Sequence, residues 1–413
     1  MFLHETDRRR GIKKRMNLHL FFKALVTVAL LASSSACVGY DASKLNAGSG
    51  GYDKYPEFSW DHIPRYMHVW KRAAFTEEEL DYLAQFPLIT FEKATGVQVG
   101  SVQQGTLKAA RGVKTRNPDA KILYYKNIVI DWGGSAASKE LKTIEGAYLQ
   151  SKDGSYPTVS RTTQFFDIGL PKVRAWWMND ARRMLDDPSI DGILIDANIK
   201  VLVDGFFLRQ KKVGDEEYQR LKDGYGQLLT QIDAEFRADN IVLANIIRAR
   251  LEHGGLNYLG YFDGSYLEAF EHNVGGVSRP DYIAKGIETV QAAARQGKIV
   301  AFTLGIKEAL NQGNGGDFDS NEALHARVNY TAALFLIVAE KYSYFFPVDG
   351  MGVVTKGGKL ANRLWMQTLP IFKKRLGAPK GPATKDGYIY TREFEHCSVW
   401  LDVENEVGTL TWR

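Results

Sequence analysis

From Tyr55 onward, eight short apolar runs alternate with amphipathic stretches, and this alternation limits the possible folds more than any other feature of the chain. The runs are Arg65–Trp70, Leu88–Phe91, Lys121–Asn127, Gly192–Asp196, Asn240–Ile246, Phe262–Glu268, Lys298–Leu304 and Ser343–Val348. Several are β-branched or aromatic and almost continuously apolar, the pattern of parallel strands buried on both faces. Between them, helical spacing predicts helices over Thr76–Ala84, Gln103–Arg116, Pro171–Leu185, Asp215–Phe236, Asp281–Gln296, Asn321–Glu340 and Leu360–Arg375. Pro171 suits a first helical turn, and Thr76 before Glu77–Glu79 suits an N-cap followed by acids. Eight strands mostly separated by helices predict an α/β fold, a (β/α)8 TIM barrel. The connection Ile247–Tyr261 is short on helix. A doubly wound sheet is the alternative, but it usually carries a Gly-rich turn after its first strand, and here Trp70 leads into Lys71-Arg72-Ala73-Ala74. After Gly387 the period changes to two, in Val399, Leu401 and Val403 and again in Leu410 and Trp412. That predicts a small C-terminal antiparallel β appendage. The expected organisation is a signal over 1–36, a tether over 37–54, the barrel over 55–380 and the β extension over 381–413.

The net charge of +5 suggests an anionic partner until it is located. Residues 1–36 hold seven of the 53 basic and two of the 48 acidic side chains, leaving 46 of each in the body. A neutral body argues against nucleic acid as a partner, and Lys211-Lys212 is too short a basic track to change that. The basic segment precedes the apolar run Ala24–Ala32 and the small residues Ser33–Ala36, the anatomy of an export signal. Either the n-region is long or translation begins at Met16. Cys37 directly after the small residues predicts a bacterial lipoprotein, lipidated at Cys37 and held to the membrane, so the protein is expected to be periplasmic or on the cell surface. Ordinary signal cleavage near Ala36 is the alternative. The Gly/Ser-rich stretch Asp41–Gly51 serves as the tether. The apolar run Ala332–Ala339 is too short to span a bilayer and reads as a buried helix face. Cys397 is the only other cysteine, so no structural disulfide is expected.

In this fold, reactive groups sit at the C-terminal ends of the strands. Two acids hold that position: Asp196 closes GILID, and Glu268 closes GSYLE with Tyr266 on its own side of the strand. Two carboxylates facing one cleft are what cleavage of a glycosidic bond needs, one to protonate the leaving oxygen and one to attack or to activate water. Carboxyl groups about 5–5.5 Å apart would favour retention, and roughly 6.5–9.5 Å inversion. The competing readings are that Asp196 caps the next helix and that Glu268 pairs with Arg248 or Lys126. His68, Trp70, Lys126, Asn127, Asn198, Asn245 and Asp349 are further strand-end candidates for binding substrate, as is Tyr266. Tyr124, Trp132, Phe166, Tyr266 and Phe270 could offer flat faces to sugar rings. Glu268, Glu271 and His272 match no standard ligand spacing, so no metal or other cofactor is expected. The loop Asn311–Gly316 lacks the Lys-Ser/Thr of a phosphate loop and reads as a wall of the cleft.

The order of RYMHVWKRA, KILYYKN, FFDIGLPKVRAWW, DGILIDAN, GSYLEAFE and YTREFEHCSVWLDVEN resembles the hypothetical glycosyl hydrolase 15 family from about Tyr66 to the C-terminus. These are TIM-barrel proteins distantly similar to endo-α-1,4-polygalactosaminidases and distinct from the glucoamylases. The resemblance implies hydrolysis of a polysaccharide, with the nucleophile or base at Asp196 and the acid at Glu268. The expected protein is thus a monomeric glycoside hydrolase acting on carbohydrate. A carbohydrate-binding envelope lipoprotein without catalysis, or a polysaccharide lyase, is the alternative.

Overall fold

The eight runs form eight parallel strands paired in chain order, β1 (Tyr66–Val69), β2 (Leu88–Phe91), β3 (Lys121–Asn127), β4 (Gly192–Asp196), β5 (Ile241–Ala244), β6 (Gly264–Leu267), β7 (Ile299–Gly305) and β8 (Ser343–Val348). Arg65 bridges Phe345 and Trp70 bridges Gly352, so β8 returns beside β1 and the ring closes. The computed structural model describes residues 52–160, 162–312, 321–353 and 364–413. The signal 1–36, Cys37, nearly all of the tether and residues 313–316 of the glycine-rich loop lie outside the described residues. Strands β1, β2, β5 and β6 are buried at every position, which is why their sequences show no alternation.

The helices are α1 (Glu77–Leu83), α2 (Val102–Arg116), α3 (Ala136–Leu141), α4 (Pro171–Leu185), α5 (Asn198–Leu202), α6 (Asp215–Phe236), α7 (Arg279–Ala294), α8 (Lys307–Gln312) and α9 (Glu322–Val338). Local chemistry starts several of them. Thr76 and Glu79 form a reciprocal capping box on α1, with bonds of 3.2 and 2.7 Å, and Pro171 occupies the first turn of α4. The connection after β5 holds only a 3-10 turn, Leu256–Tyr261. The helix expected over Leu360–Arg375 is not α-helical where it is described: residues 364–369 are turn and coil, and Pro370–Lys373 is one 3-10 turn. Pro370 holds Leu369 extended at ψ 146°, which blocks continuation of a helix through it. Asn311 lies in α8, so the expected loop begins as helix.

Strands β9 (Thr384–Asp386), β10 (Ile389–Glu393), β11 (Cys397–Asp402) and β12 (Val407–Trp412) form the antiparallel sheet. It covers α9, whose other side packs on β7 and β8, and this explains a helix apolar all round. Gly408 permits the contact, because a Cβ there would lie 2.5 Å from the Tyr330 Cα. Glu271 and Glu406 each pair with both Arg279 and Arg327, tying the β11–β12 hairpin to the barrel rim. No helix among the described residues is long and apolar enough to cross a membrane.

Candidate active site

The pleat sorts the strand-end residues into two sets. Tyr66 and His68, Thr90 and Glu92, Tyr125 and Asn127, Asp196, Asn245, Tyr266 and Glu268 turn into the barrel, whereas the residues between them turn to the helices. Asp196 is the last residue of β4, and Glu268 directly follows β6. Each is followed by an alanine in left-handed backbone, Ala197 at φ 67° and Ala269 at φ 49°. A non-glycine residue there costs roughly 1–2 kcal/mol and turns the chain sharply away behind each acid.

The Asn245 amide joins the two carboxylates. Its Nδ2 donates to Asp196 Oδ1 at 2.9 Å and to Glu268 Oε1 at 2.9 Å. Two bonds of 2.9 Å from one nitrogen leave the oxygens at most about 5.8 Å apart, and about 5 Å if they follow the amide's two hydrogens. The other Asp196 oxygen, Oδ2, accepts from Tyr125 Oη at 2.5 Å and from Asn127 Nδ2 at 3.5 Å. Trp132 Nε1 donates to the same Tyr125 oxygen at 3.2 Å, and Asn127 Nδ2 at 3.0 Å. Burial first, and then the Asp196 and Glu92 charges, push the Tyr125 hydroxyl well above its ordinary range, so it remains a donor.

Glu268 Oε2 accepts from Tyr266 Oη at 3.5 Å, and Arg248 Nη2 lies 3.6 Å from Oε1. Its side chain is 42% exposed yet ringed by protein, as expected at the bottom of an open cleft. Burial, and next the charge of Asp196, raise the Glu268 carboxyl, against the pull of Arg248, the Asn245 bond and Lys93. The acids are thus unequal. Asp196 is held by three protein donors, while burial and the Asp196 charge lift the Glu268 carboxyl above its ordinary value.

Of the other expected residues, His68 and Tyr266 belong to this mouth. The His68 ring lies 4.7 Å from that of Tyr266, Nδ1 meets Tyr66 Oη at 3.2 Å, and burial, with Lys93 nearby, pulls its pKa down to about 3. Trp70 lies against Gly352 on the rim, and Asp349 is buried directly after β8. Lys126 and Asn198 point elsewhere. Lys126 faces α4, sandwiched by Trp176 and Trp177 and bonded to Asp180, so its ammonium is not offered to substrate. Asn198 is fully buried, donating to Ile195 O at 2.8 Å and accepting from Tyr225 at 3.0 Å. Tyr124, Phe166 and Phe270 also face the helices, bonding Asp180, packing on Trp176 and packing on Phe302. Of the competing readings of the acids, the helix cap by Asp196 is not made, whereas the ion pair of Glu268 with Arg248 is. Ala197, without a side-chain cap, stands at the N-cap of α5, and Glu268 meets Arg248 but chiefly bonds Asn245.

Glu92, Lys93 and Tyr125 were not legible as mouth residues. Glu92 is buried beside β2 and pairs with Lys93, whose ammonium lies 5.0 Å from the Trp132 ring centre and 5.5 Å from that of Tyr125. A Glu-Lys pair after an apolar run carries no distinctive spacing, and only the strand register places it.

The Lys126–Asp180 pair gives a stability prediction. Asp180 also accepts from Gln103 at 2.9 Å, and Lys126 with its other donors holds its carboxyl below the usual range despite burial. Asp180→Asn leaves a buried ammonium without a counter-charge and should cost about 3–5 kcal/mol in urea unfolding. The double variant Lys126→Met with Asp180→Leu should lose less. A wild-type midpoint for Asp180→Asn would refute the assignment.

The fold and site thus define a closed (β/α)8 barrel whose mouth holds two carboxylates joined through one amide. Residues 114–398 match the family described as Hypothetical glycosyl hydrolase family 15, and the chain belongs to that family. No curated protein matches the chain. Similar solved structures include a maltogenic α-amylase from Thermotoga neapolitana, 12% identical over 84% of this chain and 86% of that one, with a TM-score of 0.45. An α-amylase from Anoxybacillus is 10% identical over 83% and 87%, also at 0.45. The α-galactosidase from Lactobacillus brevis is 10% identical over 83% of this chain and 46% of that one, again at 0.45. At this identity the likeness concerns the fold alone.

Proposed function

We propose that the protein is a glycoside hydrolase acting on an oligo- or polysaccharide with retention of configuration. The observation that carries this reading is the double bond of Asn245 Nδ2 to Asp196 and Glu268. The spacing this gives the two bonded oxygens, at most about 5.8 Å, lies nearer the about 5–5.5 Å of retaining enzymes than the roughly 6.5–9.5 Å of inverting ones.

In the first step Asp196 attacks the anomeric carbon while the Glu268 proton passes to the leaving glycosidic oxygen. The bond to that oxygen breaks and a glycosyl ester forms on Asp196. In the second step the ionised Glu268 takes a proton from water, the water oxygen attacks the same carbon, and the ester bond breaks. Two displacements restore the original configuration. Tyr125 and Asn127 orient Asp196, Asn245 keeps the acids in register, and Trp132 offers a ring face for a sugar.

The test is release of reducing ends from a panel of neutral, acidic and amino polysaccharides. Wild-type protein should release them from at least one member, and Asp196→Asn and Glu268→Gln should not. Products bearing a new double bond would instead identify a lyase. Binding to glycans unchanged by either substitution, with no turnover, would identify a non-catalytic binder.

A further inference from the structure

Four cationic side chains stand at the mouth beside its acids. Lys93 follows β2, Lys200 lies on α5 just after β4, and Arg248 and Arg250 follow β5. Lys93 pairs with Glu92, and Arg248 approaches Glu268 at 3.6 Å. Lys200 and Arg250 have no carboxylate within ion-pair distance among the described residues. The Lys200 ammonium sits 4.3 Å from the centre of the Phe206 ring, in the fields of Asp196 and Glu268, and Arg250 repels it. Arg248 in turn repels Arg250. Cations held together without a counter-charge weaken the fold unless an anion joins them.

A second, independent observation points to a ligand bound here. Three polar atoms in this mouth are buried without a protein partner: His68 Nε2, Glu92 Oε2 and Asn245 Oδ1. They belong to residues ending β1, β2 and β5, on the inward face beside the two acids. Neutral His68 can donate to or accept from a sugar hydroxyl at Nε2, and the Asn245 oxygen can accept from one.

We propose that the glycan bound here is anionic, carrying a carboxylate or sulfate on the sugars flanking the cleaved bond, with Lys200 and Arg250 as its principal charge partners. This rests on the glycosidase reading for the position of the cleaved bond but not for the binding itself. Lys93, already seated on Trp132 and Tyr125, supplies a third contact where a ring would stack.

The test uses the full chain carrying Asp196→Asn and Glu268→Gln, so that bound glycan persists. Its affinity is measured for polygalacturonate, dextran sulfate, dextran and chitosan at low and high NaCl. A polyanion should bind, dextran and chitosan should not, and added salt should weaken the complex. Lys200→Ala and Arg250→Ala should each weaken it about tenfold, the scale of a hydrogen bond to a charged group. Lys385→Ala, on the C-terminal sheet, should leave it unchanged. Preference between polygalacturonate and dextran sulfate tells carboxylate from sulfate. Dextran or chitosan binding as tightly, no loss in the doubly substituted Lys200/Arg250 protein, or an equal loss in Lys385→Ala would overturn the inference. Turnover of a neutral glycan by wild-type protein would overturn it and leave the glycosidase reading standing. Polyanion binding without release of reducing ends would do the reverse.

Discussion

Asp196→Asn should abolish turnover, with a fall on the order of 10⁴-fold or more, while the protein stays folded. Loss of the attacking oxygen leaves no route to the glycosyl ester, and an amide of nearly equal volume keeps the space filled. The amide oxygen of Asn in this position can still accept from Tyr125 Oη, while its NH2 faces the Asn245 donor, so the bond from Asn245 is the one lost. Thermal unfolding should therefore move by no more than about 1 kcal/mol, the range of one altered hydrogen bond. Reducing-end assays beside a calorimetric melt separate the two effects. A variant with wild-type turnover, or with no turnover and no fold, would remove Asp196 from the role proposed for it.

Glu268→Gln should lower kcat/KM by about 10²–10⁴-fold, the range of general acid catalysis, and should also change the pH profile. In the proposed role the group acts as an acid, so activity should fall as pH rises through its pKa. Burial and Asp196 raise that pKa, which carries the alkaline limb above the ordinary carboxylate range. Glutamine has no proton to lose, so that limb should vanish from the residual activity. Asp196→Asn tests the same coupling from the other side, because removal of the neighbouring charge should lower the Glu268 pKa. An alkaline limb unchanged in Glu268→Gln would assign it to another group.

These expectations rest on residues that are partly legible in the sequence alone. Strands β2, β3, β4 and β8 begin and end where the apolar runs do, because each run stops at a polar residue, proline or glycine that cannot stay in a buried strand. Asp196, Glu268 and Asn245 were visible for the same reason, as polar groups closing apolar strands. What could not be read was the phase. In KILYYKN both faces are buried, so nothing in the run tells whether Tyr124 or Tyr125 faces inward, and only pairing with β4 sets Tyr125 and Asn127 beside Asp196. The same ambiguity made Lys126 a mouth candidate although it belongs to Asp180 and α4. Asn198 misled for a different reason: the left-handed turn at Ala197 reverses the chain, and its amide caps the strand it follows. The charge pattern was also deceptive. An even balance of acids and bases over the body says nothing of their pairing, and among the described residues Lys200 and Arg250 have no carboxylate within ion-pair distance.

The central claim is that Asp196 and Glu268, joined by Asn245, work as nucleophile and acid/base of a retaining enzyme. Its most direct test is the anomeric configuration of the first-formed product, followed by proton NMR during cleavage of a polysaccharide that the wild-type protein degrades. Retention in the earliest spectra, before the new reducing end mutarotates, is the predicted result. Inversion would require a water molecule between the carboxylates and would contradict the account.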